Sequence, residues 1–200
     1  MLAAATGQRE ASPTPLDSFF QGTDGYERRY TVGDRYAFQV IDRFTRAAKP
    51  LAMRVSSVDV SNDRVEFNDG ESAADLMGNS LRNLRGEFDT PRQFYPAELT
   101  VGRKWRTRFK QSRPDGRVYT FAYDLKIVGK ERVTVPAGTF DTYRIEARGF
   151  NVELGAYIER NIWIAPDVSA DIAHETMVRT RSGYIDQYDR QELVQIQLAR

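Results

Sequence analysis

The sequence predicts a mainly β protein built on one large, strongly curved antiparallel sheet, a half-open barrel, and three observations carry that reading. Apolar residues make up 40% of the 200 residues, with 11 Phe and 10 Tyr among them, and such residues favour pleated, half-buried surfaces. Apolar side chains recur with period two, first in Tyr36, Phe38 and Val40 and later in Trp105, Thr107 and Phe109, and that period belongs to strands. Turn residues punctuate these segments at Gly33-Asp34, Ser61-Asn62-Asp63, Asp69-Gly70, Pro114-Asp115-Gly116 and Pro136-Ala137-Gly138. The length is that of a single all-β domain, so one core is expected.

Residues 1–25 read as a flexible leader, rich in Ser, Thr, Pro, Gly and Gln with only Leu16, Phe19 and Phe20 to bury, and residues 26–200 read as one antiparallel β domain. Met1–Ala5 lacks the basic and apolar regions of an intact signal peptide. A small-residue start before a polar tract fits a signal that has been replaced, so a periplasmic or otherwise exported location is expected.

Within the domain, Ala52–Val60 and Arg64–Phe67 form one expected hairpin, and Ser72–Met77 a further short strand. Ser80–Pro96, where Arg82, Arg85 and Arg92 are interspersed with Gly86, Pro91 and Pro96, shows no period and reads as a long loop. Alternation resumes in Trp105–Phe109 and Val118–Val128, a second hairpin, and Tyr184–Leu198 supplies closing strand material.

Two short matches suggest an internal repeat. Thr31-Val32-Gly33 before Tyr36 parallels Thr100-Val101-Gly102 before Trp105, and Val60–Val65 parallels Val128–Val133. Duplication and coincidence among Gly turns of β proteins both account for them. A duplicated pair would extend a single meander, since neither unit could bury its apolar face alone.

Charge and cysteine usage exclude several functions. Lys and Arg number 29 against 28 Asp and Glu, so no global field draws the chain to nucleic acid. Cysteine is absent, which removes disulfides, thiolate catalysis and cysteine-based metal sites. No apolar run approaches the roughly 18 residues of a spanning helix, so no transmembrane segment is expected.

Catalytic chemistry finds little footing. His174 is the sole histidine, and strand geometry puts Asp171 and Glu175 on one face with His174 opposite. Glu146, Glu153, Glu159 and Asp167 could supply an acid-base pair, but their spacing selects none. Gly138 and Gly149 stand alone, without a phosphate-binding loop. No catalytic residue, metal site or cofactor is therefore assigned.

Two surfaces remain. Arg106, Arg108 and Lys110 share one face of a strand and, with Arg82, Arg85 and Arg92, could bind phosphate, a lipid head group or an acidic glycan, but a solvated face paired with carboxylates such as Asp124 is the simpler account. Trp105, Phe109, Phe121, Tyr123, Phe140, Tyr143, Phe150, Tyr157 and Trp163 could line a concave face that receives an apolar ligand, or could simply be core.

Val133-Thr134-Val135-Pro136-Ala137-Gly138-Thr139-Phe140, preceded by an expected turn at Gly129-Lys130-Glu131 and followed by Trp163-Ile164-Ala165-Pro166-Asp167, resembles exported bacterial proteins classed as domain of unknown function 3108. The resemblance covers about Leu99–Thr180 and implies a curved antiparallel sheet similar to the LolA lipoprotein-carrier fold. It implies no catalytic residues. The expected function is that of an exported, non-enzymatic domain binding a lipid or other amphiphilic ligand on its concave face. The alternatives are an envelope protein or glycan interaction module using the basic strand, and a hydrolase built on His174.

Overall fold

A computed structural model describes residues 14–15 and 24–200. The expected leader falls largely outside the described residues, as do Leu16, Phe19 and Phe20. Fifteen strands follow in order, and no helix occurs among the described residues. They are β1 (Thr14–Pro15), β2 (Asp24–Gly25), β3 (Arg35–Asp42), β4 (Ala48–Asp59), β5 (Arg64–Phe67), β6 (Ser72–Ala74), β7 (Ser80–Asn83) and β8 (Gly86–Phe88). The remainder are β9 (Glu98–Leu99), β10 (Lys104–Ser112), β11 (Val118–Val135), β12 (Gly138–Asn151), β13 (Ala156–Ile164), β14 (Asp171–Arg179) and β15 (Ile185–Gln197).

The sheet is antiparallel and strongly curved, as expected, and its curvature is carried to closure in a 12-stranded barrel. Strands β3 to β8 and β10 to β15 pair as a meander, and β15 returns to β3 with Leu193 opposite Phe38. Closure leaves these strands no unpaired edge, the usual liability of a sheet. Short β1 adds to β11, and β2 pairs with β9 apart from the barrel.

The expected hairpins form around β4–β5 and β10–β11, and Val135 pairs with Gly138 across the Pro136-Ala137 turn. Two expectations are corrected. Ser80–Pro96 is not all loop: β7 and β8 form a hairpin, and β8 pairs with β10 through Phe88 and Gln111. Strands of four and three residues are too short to display a period, and their place comes from tertiary pairing. Gly129-Lys130-Glu131 is not a turn either. It lies within β11, paired with Arg144, Tyr143 and Thr142 just after a register irregularity.

The two Thr-Val-Gly turns share a local geometry. Gly33 and Gly102 have φ of 99° and 92°, in the region open to glycine. Gly33 N donates to Val55 O and Gly102 N to Ile127 O, while Val55 N and Ile127 N return bonds to Asp34 O and Arg103 O. The second match does not extend this likeness, since Val60–Val65 spans a hairpin turn and Val128–Val133 is continuous strand.

The antiparallel order places alternate turns at opposite ends. Turns 43–47, 68–71, 84–85, 113–117, 152–155 and 180–184 surround one end, the mouth; turns 60–63, 75–79, 136–137 and 165–170 surround the other, the base. Residues 26–31 cross the base. Tyr26 N donates to Ala97 O, Arg28 reaches Asp171, Arg29 N donates to Ser169 Oγ, and the Tyr30 ring meets Phe67 edge-on. Residues 89–97 run along the inner side of β10, held by the Asp89–Lys110 bonds above and by Trp105 Nε1 donating to Gln93 O below.

The β11–β12 hairpin is longer than the wall it belongs to. Its far part folds over β14 and β15, where Ala137 N donates to Leu193 O. Trp163 lies beneath it, donating from Nε1 to Glu131 Oε2, with the Arg190 guanidinium over its ring. The outer wall is polar: cross-strand register aligns Arg106, Asp124, Arg148 and Glu159 in one row of alternating charge.

Candidate functional site

Strand alternation assigns the inward positions. On β10 to β13 they carry Phe109, Phe121, Tyr123, Leu125, Ile127, Tyr143, Ile145, Ala147, Ile158 and Ile162, which pack with Phe94 from the inner segment. The rings of Phe94, Phe109 and Tyr123 lie 4.9 to 6.3 Å apart. Tyr123 needs the space above Gly149, where a Cβ would come within 2.1 Å of Tyr123 Cε1. This half of the barrel is solid.

The other half is open. Between β3–β6, β14–β15 and the inner segment lies a cavity of about 640 Å³, within the range of small-molecule sites. Tyr36, Phe38, Leu51, Met53 and Phe67 form its apolar wall, and His174, Thr176, Gln187, Asp189 and Gln191 face them from β14 and β15. Arg92 and Arg160 stand where the open half meets the packed one.

The base of the cavity is braced by a buried carboxylate. Asp171 Oδ1 accepts from Arg28 Nη2 at 2.6 Å, Oδ2 accepts from Tyr95 Oη at 2.8 Å, and His174 Nδ1 is 3.5 Å from Oδ2. Burial pushes this carboxyl up, but the Arg28 charge and the His174 and Arg28 contacts overcome it and hold it at about 2. Arg28 lies 4.2 Å from the Tyr95 ring centroid and donates from Nε to Tyr26 Oη. Tyr95 is placed in turn by Asn79 Oδ1, which accepts from Tyr95 N, and Asn79 is fixed by two bonds to Asp75.

This geometry corrects the expected separation of Asp171 from His174. Trp163 pairs with Ala173 but Ile164 with Asp171, a bulge that inserts Ile172 and turns Asp171 toward His174. Strict alternation cannot register such an insertion. Glu175 lies elsewhere, 3.1 Å from Arg190 Nη1. The four carboxylates considered for acid-base work are not assembled: Glu146 binds Arg144, Glu153 accepts from Thr120 N, and Glu159 and Asp167 are exposed.

The nine expected concave-face aromatics divide. Trp105, Phe109, Phe121, Tyr123 and Tyr143 belong to the packed half. Trp163 lies under the outer hairpin, Phe140 belongs to that hairpin and packs against the same cluster, and Phe150 and Tyr157 contact each other on the outer face. The reason is register: Ile162 and Ile164, rather than Trp163, take the inward positions of β13. The cavity wall comes instead from β3, β4 and β5. On the basic strand, Arg106 Nε binds Asp124 Oδ1 at 2.5 Å, the expected solvated cross-strand pair.

No family model matches the sequence, and no curated protein matches it. Among solved structures, the chain is similar to a protein from Bacteroides fragilis described as exported and YmcC-like in fold, with 14% identity over 87% of this chain and 100% of that one at a TM-score of 0.50. It is also similar to a protein from Parabacteroides distasonis described as a lipoprotein, with 13% identity over 86% of this chain and 99% of that one at a TM-score of 0.51. The class that these likenesses define is the YmcC-like β fold.

Proposed function

We propose that this chain is an exported, non-enzymatic binding protein that takes an apolar or amphiphilic small molecule into the open half of its barrel. The observation that carries this reading is the 640 Å³ cavity inside a closed sheet, walled by Tyr36, Phe38, Leu51, Met53 and Phe67. An apolar wall facing a few polar groups suits a ligand with an oily body and a polar end. Export is supported by the descriptions of the two fold relatives. Kinship with the 3108 class rests on the Val133–Phe140 hairpin and the Trp163–Asp167 strand end, both framework elements. Carriage in a curved sheet is also what the lipoprotein-carrier resemblance implies.

His174 gives weaker support to hydrolysis, because its closest ionic partner, Asp171, is committed to Arg28 and Tyr95. The basic strand gives weaker support to glycan or protein docking, because Asp124 engages Arg106.

Titration with the uncharged probe N-phenyl-1-naphthylamine tests the reading. One saturable site is expected, with a rise in fluorescence, and Met53→Trp, which fills the cavity, should abolish it while Tyr157→Ala on the outer face leaves it intact. An absence of saturable binding to the wild-type protein, or equal binding by Met53→Trp, overturns it.

A further inference from the structure

On β13 the inward positions run Ile158, Arg160, Ile162, so a guanidinium occupies a site whose neighbours along the strand are apolar. Arg92 approaches the same space from the inner segment, its backbone N donating to Ser80 O. Both side chains approach one ring: the Arg92 guanidinium is 4.6 Å and the Arg160 guanidinium 5.7 Å from the Phe94 centroid. Arg92 also lies over Phe88 and Phe109, at 5.2 and 5.7 Å.

Among the described residues neither guanidinium has an ion pair, and both Nε atoms are buried without a hydrogen-bond partner there. Of the acids that line the cavity, Glu71 is exposed in a turn at the mouth, and the two deeper ones are engaged. Asp171 is held by Arg28 and Tyr95, and Asp189, two strands from Arg160 in the Arg160-Thr176-Asp189 row, accepts from Gln187. Burial and then the Arg160 charge lower Arg92 to about 10. Two enclosed, mutually repelling cations beside an open cavity leave unmet donors for an anion, and paired guanidinium groups suit carboxylate or phosphate oxygens.

We propose that Arg92 and Arg160 form an anion clamp within the lumen, which receives the carboxylate, sulfate or phosphate head of an amphiphile whose chain lies along Phe38, Leu51, Met53 and Phe67. The proposal rests on the binding reading above and specifies its ligand class. The head group then sits at the junction of the packed and open halves, and the chain lies in the open half. Asp189 is the internal competitor for Arg160.

Calorimetric titration of the full chain with laurate, its uncharged analogue lauramide and inorganic phosphate tests the clamp, with N-phenyl-1-naphthylamine as a neutral reference. Laurate is expected to bind at least ~10-fold more tightly than lauramide. Arg92→Gln and Arg160→Gln should each erase most of that difference while leaving the neutral probe bound, and Asp189→Asn should tighten laurate. Phosphate, lacking the chain, should bind more weakly than laurate and lose its binding in the same Arg variants.

If the neutral probe binds but laurate shows no preference over lauramide, or keeps its preference in both Arg variants, the clamp is overturned and the cavity reading stands. If neither the probe nor laurate binds the wild-type protein, both readings fall. Phosphate binding equal to that of laurate overturns the amphiphile and leaves a site for a free anion. As a check on folding, unliganded Arg160→Gln should be at least as heat-stable as the wild type, because it removes a like-charge contact.

Discussion

The two halves of the barrel solve the same problem in opposite ways. Strands β10 to β13 turn aromatic and branched side chains inward until they meet, with Gly149 leaving room for Tyr123. Strands β3 to β6 and β15 present a thinner apolar lining and polar groups that do not meet across the lumen. The four short strands β5 to β8, of three or four residues each, all border the open half, although β4 and β15, which also wall it, run to 12 and 13 residues. The difference teaches that closure of a sheet does not itself make a core. What fills the inside is decided strand by strand, by which residues fall on inward positions.

Truncations can break that comparison. Phe109→Ala removes a ring stacked among Phe88, Phe94, Phe121 and Tyr123 and is expected to cost ~3–5 kcal/mol, read as a lower urea midpoint. Met53→Ala, on the cavity wall, should cost well under half as much, because the void it enlarges is already there. Equal costs would mean that the open half is packed in solution.

Asp171→Asn tests the brace between the halves. It leaves the Arg28 charge buried without its partner and is expected to cost ~3 kcal/mol. The wild-type protein carries a linked acid dependence. With the folded carboxyl at about 2 against an ordinary 3.8, its stabilisation is complete above 3.8 and is lost as the pH falls from there toward 2. That limb of the stability profile should flatten in Asp171→Asn, as followed by urea unfolding at a series of pH values. The smallest effect belongs to the exterior: Arg106→Glu breaks an exposed pair with Asp124 and should leave the unfolding midpoint unchanged within error.

The long strands and several turns are legible in the sequence, but the contrast between the two halves is not. Period two located the long strands, and Asn62-Asp63 and Asp115-Gly116 marked turns that exist. The β7–β8 hairpin was illegible because three or four residues cannot establish a period. The Asp171–His174 contact was hidden because a one-residue bulge reverses side-chain direction without altering composition. Arg160 was the missed signal that the sequence did contain. Read as Ile158-Arg160-Ile162, the alternation places a charge on an apolar face, which is rare unless something needs it. In the sequence Arg92 reads only as part of a basic loop, and its place beside Phe94 depends on where residues 89–97 run.

The seam between β3 and β15 has a kinetic consequence. Every other pairing in the ring joins successive strands, or strands as near in the chain as β8 and β10, whereas this one must bring Phe38 to Leu193. Loop-closure entropy opposes such a distant contact until much of the sheet is in place. Joining Arg200 to Asp24 through a linker, which keeps the base strap and its Arg28–Asp171 pair, and opening the chain in the exposed turn at Asp115-Gly116 would make this seam local and the β10–β11 seam distant. The permuted chain is expected to reach the same barrel by a changed route. Stopped-flow refolding should then show slow closure following the relocated seam, with Leu193→Ala slowing folding more in the permuted chain than in the original.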